Sequence, residues 1–170
     1  MPWTIELLDK SHDVQGFTCG EPQLDDYLKR YALQSAGAGL GRTFVAVEPG
    51  TKKVCGYFTL AAGTVKFDTI PDHAKQRLPR YPIPTAHLAK LATDHSQQGK
   101  GLGAALLVEA LVRSARAGEH VGVFAVDVLA LNERARTFYL KYGFVALADN
   151  PLHPYMSIKT AKAVALLAGS

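Results

Sequence analysis

Apolar and polar positions along this 170-residue chain switch between two periods, and the switches outline its elements. Thr4-Ile5-Glu6-Leu7-Leu8 predicts a short first strand. Leu24, Leu28, Tyr31 and Ser35 form one stripe at helical spacing, with Tyr27 beside them. Asp25, Asp26, Lys29, Arg30 and Gln34 fall largely outside that stripe. Pro22 suits the first turn of the helix, and Gly37, Gly39 and Gly41 end it. Arg42 to Glu48 and Val54 to Val65 predict two strands turned by Pro49-Gly50, and so short a connection implies antiparallel pairing. The prolines between Ile70 and Pro84 argue against regular structure there, apart from a helical turn at Asp72 to Gln76.

The stretch His87 to Leu107 reads as an apolar strand, a short polar turn, a glycine cluster and a helix running to about Gly118. Leu102, Ala105, Leu106 and Ala110 are expected to face inward, and Glu109, Arg113 and Arg116 outward. Val121 to Leu129 is nearly continuous apolar, the mark of a strand buried on both faces. Asn132 is placed to cap a second helix through Leu140, which Gly143 ends. Phe144 to Leu147 and Tyr155 to Thr160 predict a hairpin across Asp149 to Pro154. Residues 161 to 170 fit a frayed tail or a docked helix equally well. No repeat, linker or boundary interrupts the chain, so residues 1–170 are expected to form a single domain.

Composition changes this picture little. With 48% apolar and 20% charged residues, the chain can bury a substantial core. It has no apolar run of 18 residues, and Met1-Pro2-Trp3 does not open a signal peptide, so a cytoplasmic protein without a membrane partner is expected. Cys19 and Cys55 have no metal-like spacing and are expected to be free thiols. The net charge of +4 permits a polyanionic partner without requiring one. From His73 to Thr93 the chain carries Lys75, Arg77, Arg80 and Lys90 and no acid, with Tyr81 among them. Such a stretch is either a nucleic-acid footprint or a solvated face, and its composition does not choose between them.

The sharpest chemistry lies in the glycine cluster. Gly99, Gly101 and Gly103 sit where a turn enters a helix, whose first amides lack intrahelical partners and carry the positive end of the dipole. That is a site for a phosphate or pyrophosphate. The spelling excludes a P-loop, because Lys100 is followed by Gly101. It also falls one residue short of the dinucleotide fingerprint G-x-G-x-x-G, although Asp127 at the end of the next apolar strand could pass for the ribose-binding acid. Q-x-x-G-x-G does fit, as Gln98-Gly99-Lys100-Gly101-Leu102-Gly103.

This loop resembles the acyl-CoA pyrophosphate loop of the GCN5-related N-acetyltransferases (GNAT). From roughly residue 83 to 160 the order of strand, loop, helix, strand, Asn-led helix with Phe138-Tyr139, and Gly143-Phe144 is similar to that family. The resemblance implies an α/β (α+β) fold: a mixed central sheet of about six to seven strands with a splayed central pair and helices on both faces. It implies acetyl-CoA as acetyl donor, with the pantetheine arm paired to the backbone of Leu91, Ala92 and Thr93. The pyrophosphate would meet Gln98, Gly99, Lys100, Gly101, Leu102, Gly103 and Ala104. Asn132, Ala135 and Phe138 would contact the cofactor, though Phe138 also suits the core. Tyr139 would sit near the sulfur. A phenol with a pKa of about 10 can protonate a thiolate whose acid form lies near about 8.5. Most of the acceleration would come from positioning and from polarisation of the thioester oxygen. The central strand offers His87 and Lys90, with Asp94 and His95 just beyond. Asp94 is expected to close the strand, and no dedicated base is expected.

The first half narrows the resemblance. F-x-C-G-x-x-x-L-D-x-Y-L-x-x-x-A-x-Q from Phe17 to Gln34, then RTFVAV, the Gly56–Gly63 block, Arg80–Pro84 and L-A-K-L-A-T-D together resemble the acetyltransferase toxins of bacterial toxin–antitoxin pairs. That implies acetylation of the α-amino group of aminoacyl-tRNA, arrest of translation and a homodimer. It also implies neutralisation by a ribbon-helix-helix antitoxin, with DNA met only through that antitoxin. Lys29, Arg30, Arg42, Lys75, Arg77, Arg80 and Lys90 would then face tRNA. An acetyltransferase for a small amine or a protein N-terminus, and a nucleotide-binding module without turnover, are the competing readings.

Overall fold

The computed structural model describes residues Pro2 to Ala168. Seven strands form one sheet in the order β1-β2-β3-β4-β5-β7-β6. They are β1 (Thr4–Leu7), β2 (Arg42–Val47), β3 (Val54–Val65), β4 (Ile83–Thr93), β5 (Ala125–Val128), β6 (Val145–Ala146) and β7 (Pro154–Ser157). The sheet is mixed: β1–β2, β2–β3, β5–β7 and β6–β7 pair antiparallel, and β4–β5 pair parallel. The helices are α1 (Pro22–Asp26), α2 (Ala32–Gly37), α3 (Leu102–Ala117), α4 (Glu133–Lys141) and α5 (Ile158–Ala168). The chain divides into two compact units, residues 1–61 with 89–110, and residues 62–88 with 111–170.

In the first unit the predicted single helix is broken. A π-helical turn, Tyr27–Tyr31, separates α1 from α2. Such a turn inserts an extra residue into the helical repeat and rotates everything after it. Leu28 keeps its inward place, but Ala32 takes the core position predicted for Tyr31, which is 52% exposed. Leu28 and Ala32 pack with Phe17, Val45, Val47, Val54, Tyr57 and Ala92. Gly56 lets α3 approach the sheet: a Cβ there would lie 2.8 Å from Leu102 and 2.9 Å from Leu106.

The second unit has its own core of Val65, Ile70, Ile83, Ala125, Leu147 and Tyr155. Its strand before α4 is shorter than the apolar run predicts. Only Ala125–Val128 pair, all four buried, whereas Val121 is 62% exposed. Gly122 and the exposed approach keep the first residues out of the ladder. The Phe144–Leu147 hairpin arm narrows to Val145–Ala146. Tyr155 to Thr160 splits, because Ile158 already begins α5; the predicted tail is a helix as far as Ala168, and its last two positions lie outside the described residues. The helical turn predicted for Asp72 to Gln76 is a shorter 3-10 turn, Asp72–Ala74.

On α3 the inward face is Leu102, Leu106, Leu107, Ala110, Leu111, Ser114 and Ala115. Ala105 is only half-buried, against expectation. Glu109 and Arg113 are half-buried too, so Arg116 alone of the predicted outer three is exposed. The helix therefore covers a wider face than a four-residue stripe implies.

Candidate active site

The glycine loop comes first. Gln98, Gly99, Lys100 and Gly101 are exposed between β4 and α3. Gly99 and Gly101 take φ of +79° and +88°, and a Cβ at either would meet nothing within 4 Å. These two positions need glycine for backbone reasons, and the loop they form is open to a ligand. Gly103 differs from expectation: it lies inside α3 without a positive φ. Leu102 is 1% exposed and belongs to the core. The Gln98 amide donates to Cys19 O and Thr93 O, both at 3.2 Å, and so lashes the end of β4 to the loop.

The strand edge beside the loop fits the same ligand. The β4–β5 register runs from Thr85↔Ala125 to Leu88↔Val128, where β5 ends. Residues 89–93 of β4 thus have no β5 partner among the described residues, which leaves backbone groups available to an added chain. Ala92 is 6% exposed and sits in the first core, so only its main chain can serve. Asp94 closes the strand as predicted. It accepts from the amides of Thr18 and Ser96 and from the Ser96 hydroxyl. Burial opposes its charge, but these hydrogen bonds prevail and hold its carboxyl below the usual range.

On α4, Asn132 is the N-cap: its side-chain oxygen accepts from Ala135 N at 2.9 Å. The cap leaves the Asn132 amide nitrogen to donate elsewhere. Tyr139 is 6% exposed, with Phe138 and Phe144 edge-on to its ring at 5.2 and 5.5 Å. Its hydroxyl makes no hydrogen bond among the described residues. Burial pushes the phenol well above its ordinary value, so it stays protonated and ready to donate. Phe138 is half-buried, and its second ring neighbour is Tyr142 at 5.0 Å.

The basic residues divide between the units. In the first, Arg42 is exposed, Arg30 lies 4.0 Å from Asp26, Lys29 is half-buried, and Lys90 stands over the Tyr27 ring at 5.1 Å. In the second, Lys75 and Arg80 flank the Phe67 ring at 5.1 and 5.8 Å, and Lys75 also pairs with Asp72 at 3.4 Å. Arg77 is exposed with φ of +65°, a left-handed conformation uncommon for arginine.

The structure adds a cluster that the sequence reading missed. Asp127 Oδ2 meets His87 Nδ1 at 3.1 Å and His153 Nε2 at 2.8 Å, and His153 Nδ1 meets Asp149 Oδ2 at 2.9 Å. Burial would raise the Asp127 carboxyl, but the bonds from His87 and His153 outweigh it and hold it below the usual range. The nearby Thr85 hydroxyl adds to that direction, although its oxygen makes no hydrogen bond of ordinary geometry. One signal was visible: Asp127 is the single charge in an apolar run. Cys19 and Cys55 are free as expected, and burial pushes the Cys55 thiol up to about 11, which leaves it unreactive.

The chain is similar to known proteins over most of its length. Residues 39–146 match the acetyltransferase (GNAT) domain family. A tRNA-acetylating toxin of Mycobacterium tuberculosis is 37% identical over 157 residues, 92% of this chain and 93% of that protein. Among solved structures, a tyrosine-to-phenylalanine mutant of KacT superposes with a TM-score of 0.92 at 29% identity, covering 96% of this chain and 99% of that one. AtaT complexed with acetyl-methionyl-tRNAfMet gives 0.89 at 30% identity, covering 95% and 98%. With an open glycine loop at a helix start, a free strand edge beside it and a buried tyrosine on an Asn-capped helix, the chain belongs to the GNAT family of acetyltransferases.

Proposed function

We propose that this protein transfers the acetyl group of acetyl-CoA to the α-amino group of aminoacyl-tRNA, and so acts as a translation-blocking toxin. The observation that carries this reading is the 37% identity, over nearly the full length of both chains, to a tRNA-acetylating toxin. The neighbour AtaT, whose solved structures include complexes with acetyl-CoA, with acetyl-methionyl-tRNAfMet and with the antitoxin AtaR, supports the same substrates and a cognate antitoxin here. The antitoxin is expected to be of the ribbon-helix-helix class and to bring the complex to DNA, the protein to work as a dimer in the cytoplasm, and residues 1–170 to act as one domain. No helix among the described residues is long and apolar enough to cross a membrane.

In this reading the amides from Gly99 to Ala104 take the pyrophosphate, with Gln98 and Lys100 beside them. The main chain of Leu91, Ala92 and Thr93 pairs with the pantetheine. Asn132, Ala135 and Phe138 contact the cofactor. Bound acetyl-CoA supplies an activated acyl carbon and a thiolate leaving group. Tyr139 holds a proton on its hydroxyl for that thiolate, and burial keeps it there. Lys29, Arg30, Arg42, Lys75, Arg77, Arg80 and Lys90 contact tRNA phosphates.

The test is incubation of the purified protein with acetyl-CoA and total charged tRNA, followed by mass mapping of the acetyl group. Acetylated α-amines on aminoacyl-tRNA are expected. If acetyl-CoA is consumed only when small amines or peptide N-termini are supplied, the tRNA reading is replaced by the general acetyltransferase one.

A further inference from the structure

The cleft around Asp127 lies wholly within the second unit, and the reaction above leaves it unused. Its volume is about 440 Å³, and Leu129 and Asn150 stand on its walls. Asp127 forms the floor: its side chain is 4% exposed, and its Oδ1, like Thr85 Oγ1, is buried without a hydrogen-bond partner among the described residues. Two buried polar oxygens without a bond of ordinary geometry make the base of the cleft polar. Gly63 allows the close approach of Thr85 and His87, because a Cβ there would lie 2.9 Å from Thr85 Oγ1 and 3.0 Å from His87 Cβ.

The two histidines bonded to Asp127 are not equivalent. His153 has a carboxylate against each ring nitrogen; burial works against a charge there, but the bonds to Asp127 and Asp149 prevail and raise its pKa. It ties the β6–β7 connection to β5. His87 has a carboxylate against Nδ1 alone, and its side chain is 30% exposed on the cleft. Its Nε2 makes no hydrogen bond among the described residues. A carboxylate acceptor at Nδ1 selects the Nδ1–H tautomer and leaves a lone pair on Nε2, the arrangement of a general base held by an acid. The titratable groups facing His87 are Asp127 from β5 and Asp149 and His153 from the β6–β7 connection; β3 presents the uncharged Gly63 and Thr64.

We propose that this cleft receives the acceptor's α-ammonium group and that His87 Nε2 takes its proton. The inference rests on the acetyl-transfer reading above and supplies the base that the sequence alone did not reveal. Position on the strand supports it. On β4 the His87↔Asp127 pair lies one step before Leu88↔Val128, the last pair of the β4–β5 register. The ammonium gives one proton to Nε2, and the neutral nitrogen bonds to the acetyl carbon as the carbon–sulfur bond breaks. The thiolate takes the Tyr139 proton, the nitrogen's second proton restores the phenol, and His87 releases its own to solvent. Asp127 and His153 are positioning residues that act through His87.

The test compares wild type with His87→Asn, whose side-chain amide can still donate to Asp127. Single-turnover acetylation of aminoacyl-tRNA is followed from pH 6 to 8.5. A deficit of about 100-fold is expected at the acid end, shrinking to under about tenfold at the basic end, where the amine loses its proton unaided. A separate readout needs no turnover: long-range proton–nitrogen NMR of the free protein should show one Nδ1–H histidine with a bare Nε2, absent from His87→Asn. A deficit that is constant with pH, activity within about threefold of wild type, or an Nε2–H tautomer at His87 would each overturn the proposal. A wild type that acetylates no aminoacyl-tRNA overturns the parent reading and this one with it; an active wild type with an unimpaired variant sinks this one alone.

Discussion

At the scale of single residues, Tyr139 and the loop glycines separate two kinds of necessity. In the proposed reaction Tyr139 supplies a proton, and Tyr139→Phe keeps the ring contacts with Phe138 and Phe144 while removing only the donor. We expect kcat to fall by about 10²- to 10⁴-fold with acetyl-CoA affinity unchanged, as stopped-flow and calorimetry would show. An unchanged kcat would remove the tyrosine from the chemistry. Gly99 is needed for a backbone angle. Gly99→Ala meets no neighbour within 4 Å, yet at φ of +79° it carries about 1–2 kcal/mol of strain. That cost should surface as weaker acetyl-CoA binding.

At the scale of elements, caps and close approaches decide what can be changed. Asn132 caps α4 through Ala135 N, and Asn132→Ala should lower the unfolding free energy by about 1 kcal/mol in urea titrations. If the same variant also weakens acetyl-CoA binding, the free amide of Asn132 has a second task. Gly56 marks where α3 rests on the sheet. Gly56→Val would force its branches onto Leu102 and Leu106, an overpacking that costs about 1–3 kcal/mol. The π turn at Tyr27–Tyr31 belongs to this scale as well. It releases Tyr31 to the surface and sends Ala32 inward, a shift that a straight 3.6-residue repeat does not forecast.

At the scale of the whole molecule, charge sets responses to pH and salt. His153 has its pKa raised in the fold, so its contribution is complete below the unfolded value near 6.5 and is lost as pH climbs through the folded one. Asp127 has its pKa lowered, so its contribution holds above about 4 and is lost as pH falls through the folded value. Urea midpoints should therefore decline for wild type between pH 6 and 9 more than for His153→Gln, and equal slopes would disprove the raised pKa of His153. For tRNA, phosphate neutralisation makes affinity fall linearly on a log–log plot against salt. Replacing Arg77 and Arg80 with alanine should flatten that slope by about one unit for each phosphate left without its arginine. An unaltered slope would return both arginines to solvent.

The order of the main elements, the glycine loop and the Asn132 cap were legible in local spacing, because each rests on a few neighbouring residues. The resemblance drawn from those blocks led to the same family that the match over residues 39–146 and the relative covering 92% of the chain show. Tertiary structure alone decided where helical phase slipped at Tyr27–Tyr31, how little of Val121 to Leu129 could pair, and that β7 lies between β5 and β6. It also decided the Asp127 cluster. His87, Asp127, Asp149 and His153 come from a strand, its parallel neighbour and the β6–β7 connection, and the hydrogen bonds among them reach across 40 residues between His87 and Asp127 and 26 between Asp127 and His153. Local periodicity carries no record of pairings made at such separations; strand register and sheet order bring those side chains together.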